Sequence, residues 1–107
     1  MNTRIVFRGM EHSQLLEDYA REALSKTDKF LENEPDPVQI DVVLEAHKQH
    51  QHHKVEVRLK SKSHHIVMSH EGADIYVVID YVIKHVIEEI KKNKDKMLGK
   101  RHSGSCC

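Results

Sequence analysis

From Asp74 to Met97 the chain has no glycine or proline, and β-branched apolar residues crowd the first two thirds of that stretch: Ile75, Val77, Val78, Ile79, Val82, Ile83, Val86, Ile87 and Ile90. Such residues favour strands. A strand seldom exceeds about 10 residues, however, and nothing here turns the chain, so length decides for a helix. Ile75, Ile79, Val82, Val86 and Ile90 then line one apolar stripe. Asp74 is placed to cap the first turn. Asp80/Lys84 and Glu88/Lys92 stand acid-first at i,i+4 spacing, worth roughly 0.3 kcal/mol each. A long helix with one apolar stripe needs an apolar surface to cover.

The remainder of the sequence supplies a sheet. Ile5 and Phe7 alternate with Arg4, Val6 and Arg8, a first strand that Gly9 ends. Ser13 caps a helix, with Glu17 and Asp18 near its positive end, and Leu16, Tyr19, Ala20, Ala23, Leu24, Thr27 and Leu31 recur at helical spacing. Pro35 and Pro37 stop it. Val38, Ile40, Val42 and Leu44 alternate with polar residues, as do Val55, Val57 and Leu59, then Ile66 and Met68, giving three more strands. Residues 46–53 form a polar hairpin connection, Ser61-Lys62-Ser63 a turn, and Gly72 the end of the fourth strand. The expected fold is therefore α+β in the order β-α-β-β-β-α, with two helices covering one face of a four-stranded sheet. Residues 1–97 form one domain and residues 98–107 a flexible tail.

Composition excludes several classes. No apolar run approaches the roughly 18 residues of a membrane span, and the N-terminal residues lack the apolar segment of a secretory signal. The only cysteines, Cys106 and Cys107, are adjacent and cannot staple a core, so a reduced, cytoplasmic setting is expected. Trp is absent and aromatic residues make up 5% of the chain, too few for a base-stacking sheet. No nucleophile stands in an elbow context, no glycine-rich phosphate loop is present, and Asp74 and Asp80 lie on different helical faces, so no enzyme is expected.

Charge is where the sequence points to a partner. Residues 91–101 hold six basic side chains (Lys91, Lys92, Lys94, Lys96, Lys100, Arg101) against Asp95; the residues before them hold eleven basic and sixteen acidic. The net charge of zero thus divides into about −5 and +5. A solvated helix end would look the same, but the concentration of lysines suits phosphate contact. Lys26 and Lys29 on the first helix join the patch if the helices lie side by side. Ten histidines are present, seven between His47 and His70, with His47, His50, His52 and His53 in the first hairpin and His64 and His65 after the next turn. Their spacing matches no standard zinc pattern, so no metal or other cofactor is expected. A metal-handling protein built on these hairpins is one alternative function, and a general double-stranded RNA binder is another.

Glu71-Gly72-Ala73-Asp74-Ile75-Tyr76-Val77-Val78-Ile79-Asp80, followed by a helix ending Lys92-x-Lys94-x-Lys96, resembles the ribosome hibernation promoting factor family, once called sigma-54 modulation protein and including protein Y. The family signature there reads roughly E-G-x-D-M-Y-A-A-I-D, then K-x-K-x-K. Glu11, Ser13, Leu16, Tyr19, Leu24, Lys26 and Phe30 fit its first helix, and the match covers about residues 2–97. The resemblance implies a fold similar to double-stranded RNA-binding domains. It also implies binding to the 16S ribosomal RNA of the small ribosomal subunit, in the channel of messenger and A- and P-site transfer RNAs, which silences idle ribosomes in stationary phase or stress. It implies no small-molecule substrate and no membrane. The length fits the short type, which pairs ribosomes together with ribosome modulation factor.

Carried onto this sequence, the resemblance implies RNA contacts by Lys26, Lys92, Lys94 and Lys96, with Arg8 fitting a frequent basic residue after the first strand. Lys29, Lys84, His85 and Lys91 complete the expected set. The chain departs from the pattern at Ala23 and His85, where the family has lysine, and at Glu88 and Glu89, where it has arginine and glutamine. Lys84 compensates in part. His85 is cationic only when protonated, so binding is expected to strengthen between about pH 7.5 and about pH 6.

Overall fold

A computed structural model of the chain describes residues 2–32, 34, 35, 37–47 and 52–101, with residues 94–101 as backbone only. The elements are β1 (Asn2–Arg8), α1 (Gln14–Ser25), α2 (Asp28–Leu31), β2 (Gln39–His47), β3 (His52–Lys60), β4 (His65–Gly72) and α3 (Ile75–Arg101). The strands form a mixed sheet in the order β1-β2-β3-β4, parallel between β1 and β2 and antiparallel elsewhere. This is the α+β architecture expected from the hydrophobic pattern.

The alternation of each strand decides which face is covered. Ile40, Val42 and Leu44 of β2 lie opposite Leu59, Val57 and Val55 of β3, and all six are buried. Ile66 of β4 extends the layer. Onto this face α3 lays Ile75, Val78, Ile79, Val82, Ile83, Val86 and Ile90, a stripe wider than the five residues read from the sequence. α1 contributes Leu16, Ala20, Ala23 and Leu24. Each buried Val, Leu or Ile side chain among these stabilises the fold by roughly 1.5–3 kcal/mol when fully buried.

Local chemistry fixes the ends. The Ser13 hydroxyl accepts from the Leu16 amide at 3.2 Å, capping α1. The Asp74 carboxylate accepts from the Tyr76 amide at 3.0 Å, as an Asx turn opening α3. Gly9 ends β1 at φ +65°, and a Cβ there would meet the Ala46 carbonyl oxygen at 2.8 Å.

The single helix expected over residues 13–31 is two. Thr27 is buried, and both its hydroxyl and its amide take the Leu24 carbonyl, at 2.7 and 2.8 Å. That local bond competes with helix continuation, and four residues of α2 follow. The polar connection expected at 46–53 is also shorter, since Ala46, His47, His52 and His53 pair within the sheet. At the other end, helical backbone continues to Arg101, beyond the boundary expected at residue 97; Met97 and Leu98 are good helix formers. The rest of the expected tail, Cys106 and Cys107 included, lies outside the described residues, as does His50. Among the described residues no helix is long and apolar enough to cross a membrane.

Candidate nucleic-acid interface

Strand direction sets the polarity of the molecule. β1, β2 and β4 run one way, and α1 and α3 each fold back from the end of a strand. Successive contacts show that α3 runs parallel to α1 and the short α2 that follows it: Tyr19 of α1 meets Tyr76 and Asp80, and Phe30 of α2 meets Lys91. α1 and α2 end at one pole of the molecule, where the partial negative charge of a helix C-terminus favours cations, and α3 passes the same pole at Lys91 and Lys92 on its way to Arg101. Lys26, Lys29, Lys91 and Lys92 are gathered at that pole from positions far apart in sequence.

Between α1 and α3 runs a groove of about 350 Å³. Ala23, Ile83 and Ile87 contribute apolar surface, Lys26, Lys84 and Lys91 bring cations, and Asp80 and Glu88 bring acids. Ala23 is buried, so the position where the family pattern has lysine lends no charge. Below the groove, Lys29 and Lys91 each hold their ammonium over the Phe30 ring, 5.1 and 5.2 Å from its centroid. Among the lysines whose side chains are described none forms an ion pair, whereas Arg4, Arg21 and Arg58 each pair with an acid. The lysine charges are thus left for an external anion.

The expected site residues separate. Lys26, Lys84 and Lys91 share the groove, with Lys29 beside it. Lys92 is exposed, about 100° further round α3 than Lys91. The side chains of Lys94 and Lys96 lie outside the described residues, on a backbone that remains helical. Arg8 is not brought to the patch. It ends β1 opposite Glu45, near Lys54 and Glu56, on the face away from the helices and at the opposite pole. His85 also turns elsewhere: its Nδ1 lies 3.0 Å from the Glu88 carboxylate, and its ring packs 4.2 Å from Tyr81, which stacks on His70 at 3.9 Å. Glu88 and Tyr81 thus engage the His85 ring.

Among the described residues no group of three His, Cys, Asp or Glu side chains is arranged to hold a metal ion. His47 lies 3.1 Å from Glu45 and 3.9 Å from Glu71. His64 is buried: Asn93 of α3 lies 3.2 Å from its Nδ1 and Glu34 lies 3.9 Å from its Nε2. Sequence reading missed this role, because a histidine in a polar turn looks solvated.

Residues 3–98 match the family model described as Sigma 54 modulation protein / S30EA ribosomal protein. No curated protein matches the sequence significantly. Solved structures share the fold, among them the following two. The N-terminal domain of Protein Y from Thermus thermophilus is 20% identical, with 86% of this chain and 98% of that one aligned at a TM-score of 0.73. A ribosomal subunit interface protein from Coxiella burnetii is 17% identical, with 89% and 99% aligned at 0.72.

Proposed function

This chain belongs to the sigma 54 modulation protein / S30EA ribosomal protein family, and from that premise we propose that it is a ribosome hibernation factor. It binds the small subunit in the channel of messenger and A- and P-site transfer RNAs and blocks translation by occupying that space in stationary phase or stress. It promotes ribosome pairing together with a modulation factor. One observation of this structure carries the reading: two parallel helices deliver unpaired lysines to one pole and to the groove between them. Lysines so placed grip RNA backbone by charge and fix position without reading sequence. The mechanism asks for no chemistry beyond steric exclusion.

Sedimentation of small subunits with the protein tests this. The protein should move with the subunits at low salt and leave them as salt rises, with a steep log–log slope. A plain RNA duplex added at equal phosphate concentration separates subunit recognition from general duplex binding. If the duplex strips the protein from subunits at equal phosphate concentration, the general binder is the better account. If the protein stays at the top of the gradient at low salt, the hibernation reading falls.

A further inference from the structure

The cationic pole is not made of helices only. The β3–β4 turn reaches it, and its tip, Lys62, follows Lys60 at the end of β3. We infer that this turn is a second backbone-gripping element, in which Lys60 and Lys62 carry the lysine track of α1 and α3 round the pole onto the open face of the sheet. The inference rests on the ribosome-binding reading above and names a further surface for the same RNA.

Three observations support it. The first is position. α3 runs back along β4, and Asn93, next to Lys92, reaches His64 in the turn. Lys60 pairs with Gln39 and His65 in register, on the open face where the same end of the sheet is reached. The second is rigidity. The Ser61 amide donates to the His64 carbonyl at 2.8 Å, the His64 amide to the Ser61 hydroxyl at 3.1 Å, and the Ser63 amide to the Glu34 carboxylate at 2.8 Å. His64 is 2% exposed and acts as a plug. A turn held at three points loses little further entropy on gripping a ligand. The third is charge and shape. Among the described residues neither lysine forms an ion pair, and with Pro37, Gln39 and Ser61 they line a shallow recess of about 340 Å³. Two nearby described acids are engaged. Glu34 is turned inward on Ser63, and Asp41 is held by Arg4 at 3.4 Å and by the Gln39 amide at 3.3 Å. The ligand of matching chemistry is the phosphate backbone of an RNA strand that passes the pole.

The salt dependence of subunit binding tests this. In the variant Lys60→Gln/Lys62→Gln, two phosphate contacts fewer should lower the slope of log K against log salt by about 1.5, at roughly 0.7–0.9 per phosphate. Lys54→Gln, which removes one charge from the open face at the far end, should leave the slope unchanged. Both lysines of the double variant are exposed, and an unaltered melting curve will confirm folding. An unchanged slope in the double variant overturns the inference while the ribosome reading stands. So does an equal loss per charge in Lys54→Gln, which would mark a general effect of net charge. Failure of the wild type to bind subunits removes both.

Discussion

The Tyr19 hydroxyl donates from α1 across to the Asp80 carboxylate of α3, 2.8 and 2.9 Å from its two oxygens. The Tyr19 ring meets Tyr76 edge-on at 4.8 Å. This bridge fixes the parallel pairing of the helices and so the width of the lysine groove. The hydrogen bond to Asp80, then burial and the nearby acids, push the Tyr19 phenol above its ordinary value. A raised value in the folded state means stability that is complete below about pH 10 and is lost as pH rises through the folded value. Tyr19→Phe should cost about 0.5–1 kcal/mol at neutral pH, because the contact is solvent-accessible. The difference from wild type should shrink in strongly alkaline solution. Thermal melts at pH 7 and above pH 10 measure both effects; equal losses at the two values would contradict the bridge.

Glu88 places an acid where the lysine track crosses the groove, and it also holds His85 at 3.0 Å. Its charge opposes a phosphate in the groove. Glu88→Gln should therefore tighten subunit binding about two- to fivefold at 0.1 M salt, the scale of one exposed charge interaction. Titration of subunits with wild type and variant at one salt concentration checks this, and weaker binding by the variant would mean that Glu88 does not face RNA.

Gly9 turns the chain from β1 toward α1 at φ +65°, tight against the Ala46 carbonyl. A side chain there meets both the left-handed backbone penalty, about 1–2 kcal/mol, and a contact of 2.8 Å with backbone that is itself paired in the sheet. Gly9→Ala should lower stability by at least 2 kcal/mol or so, read as a melting temperature lower by about 8 °C or more. An unaltered melt would show that the turn relaxes.

Much of this architecture is legible in the sequence, because the covered face is written in alternation and the long helix in its length. Leu44 and Val57 are buried as their spacing requires, and Ser13 caps as its position requires. The break at Thr27 was not legible, since the hydroxyl claims the Leu24 carbonyl only once the site is buried. The same limit holds for the interface. Lys26 and Lys91 could be placed together from two helices side by side. Arg8 could not be set apart without strand direction, nor Lys60 and Lys62 brought to the pole without the register. Side-chain chemistry is local in sequence, whereas the meeting of charges depends on which ends of elements the topology joins.

Glu34 links stability to that meeting of charges. Burial pushes its carboxyl up, but the Ser63 amide, the Ser61 and Ser63 hydroxyls and His64 more than offset this, and the group titrates below its ordinary 4.5. A lowered value in the folded state gives stability that is present above about pH 4.5 and lost as pH falls through the folded value. Glu34→Gln keeps the shape and an acceptor for Ser63 but removes the charge. It should cost about 1–2 kcal/mol near pH 7, the scale of a hydrogen bond to a charged group. The gap from wild type should close as the solution is acidified through the folded-state value, below 4.5, where the wild-type carboxyl also becomes neutral. Because Glu34 and Asn93 hold His64 from two sides, the same variant should loosen the β3–β4 turn against α3. Amide exchange at Ser63 and His64 should then speed up more than exchange in the core of β3. Urea melts across pH 3–7 give the first result, and hydrogen exchange gives the second. A stability gap that stays constant with pH would mean that the carboxylate contributes no charge-dependent support to the pole.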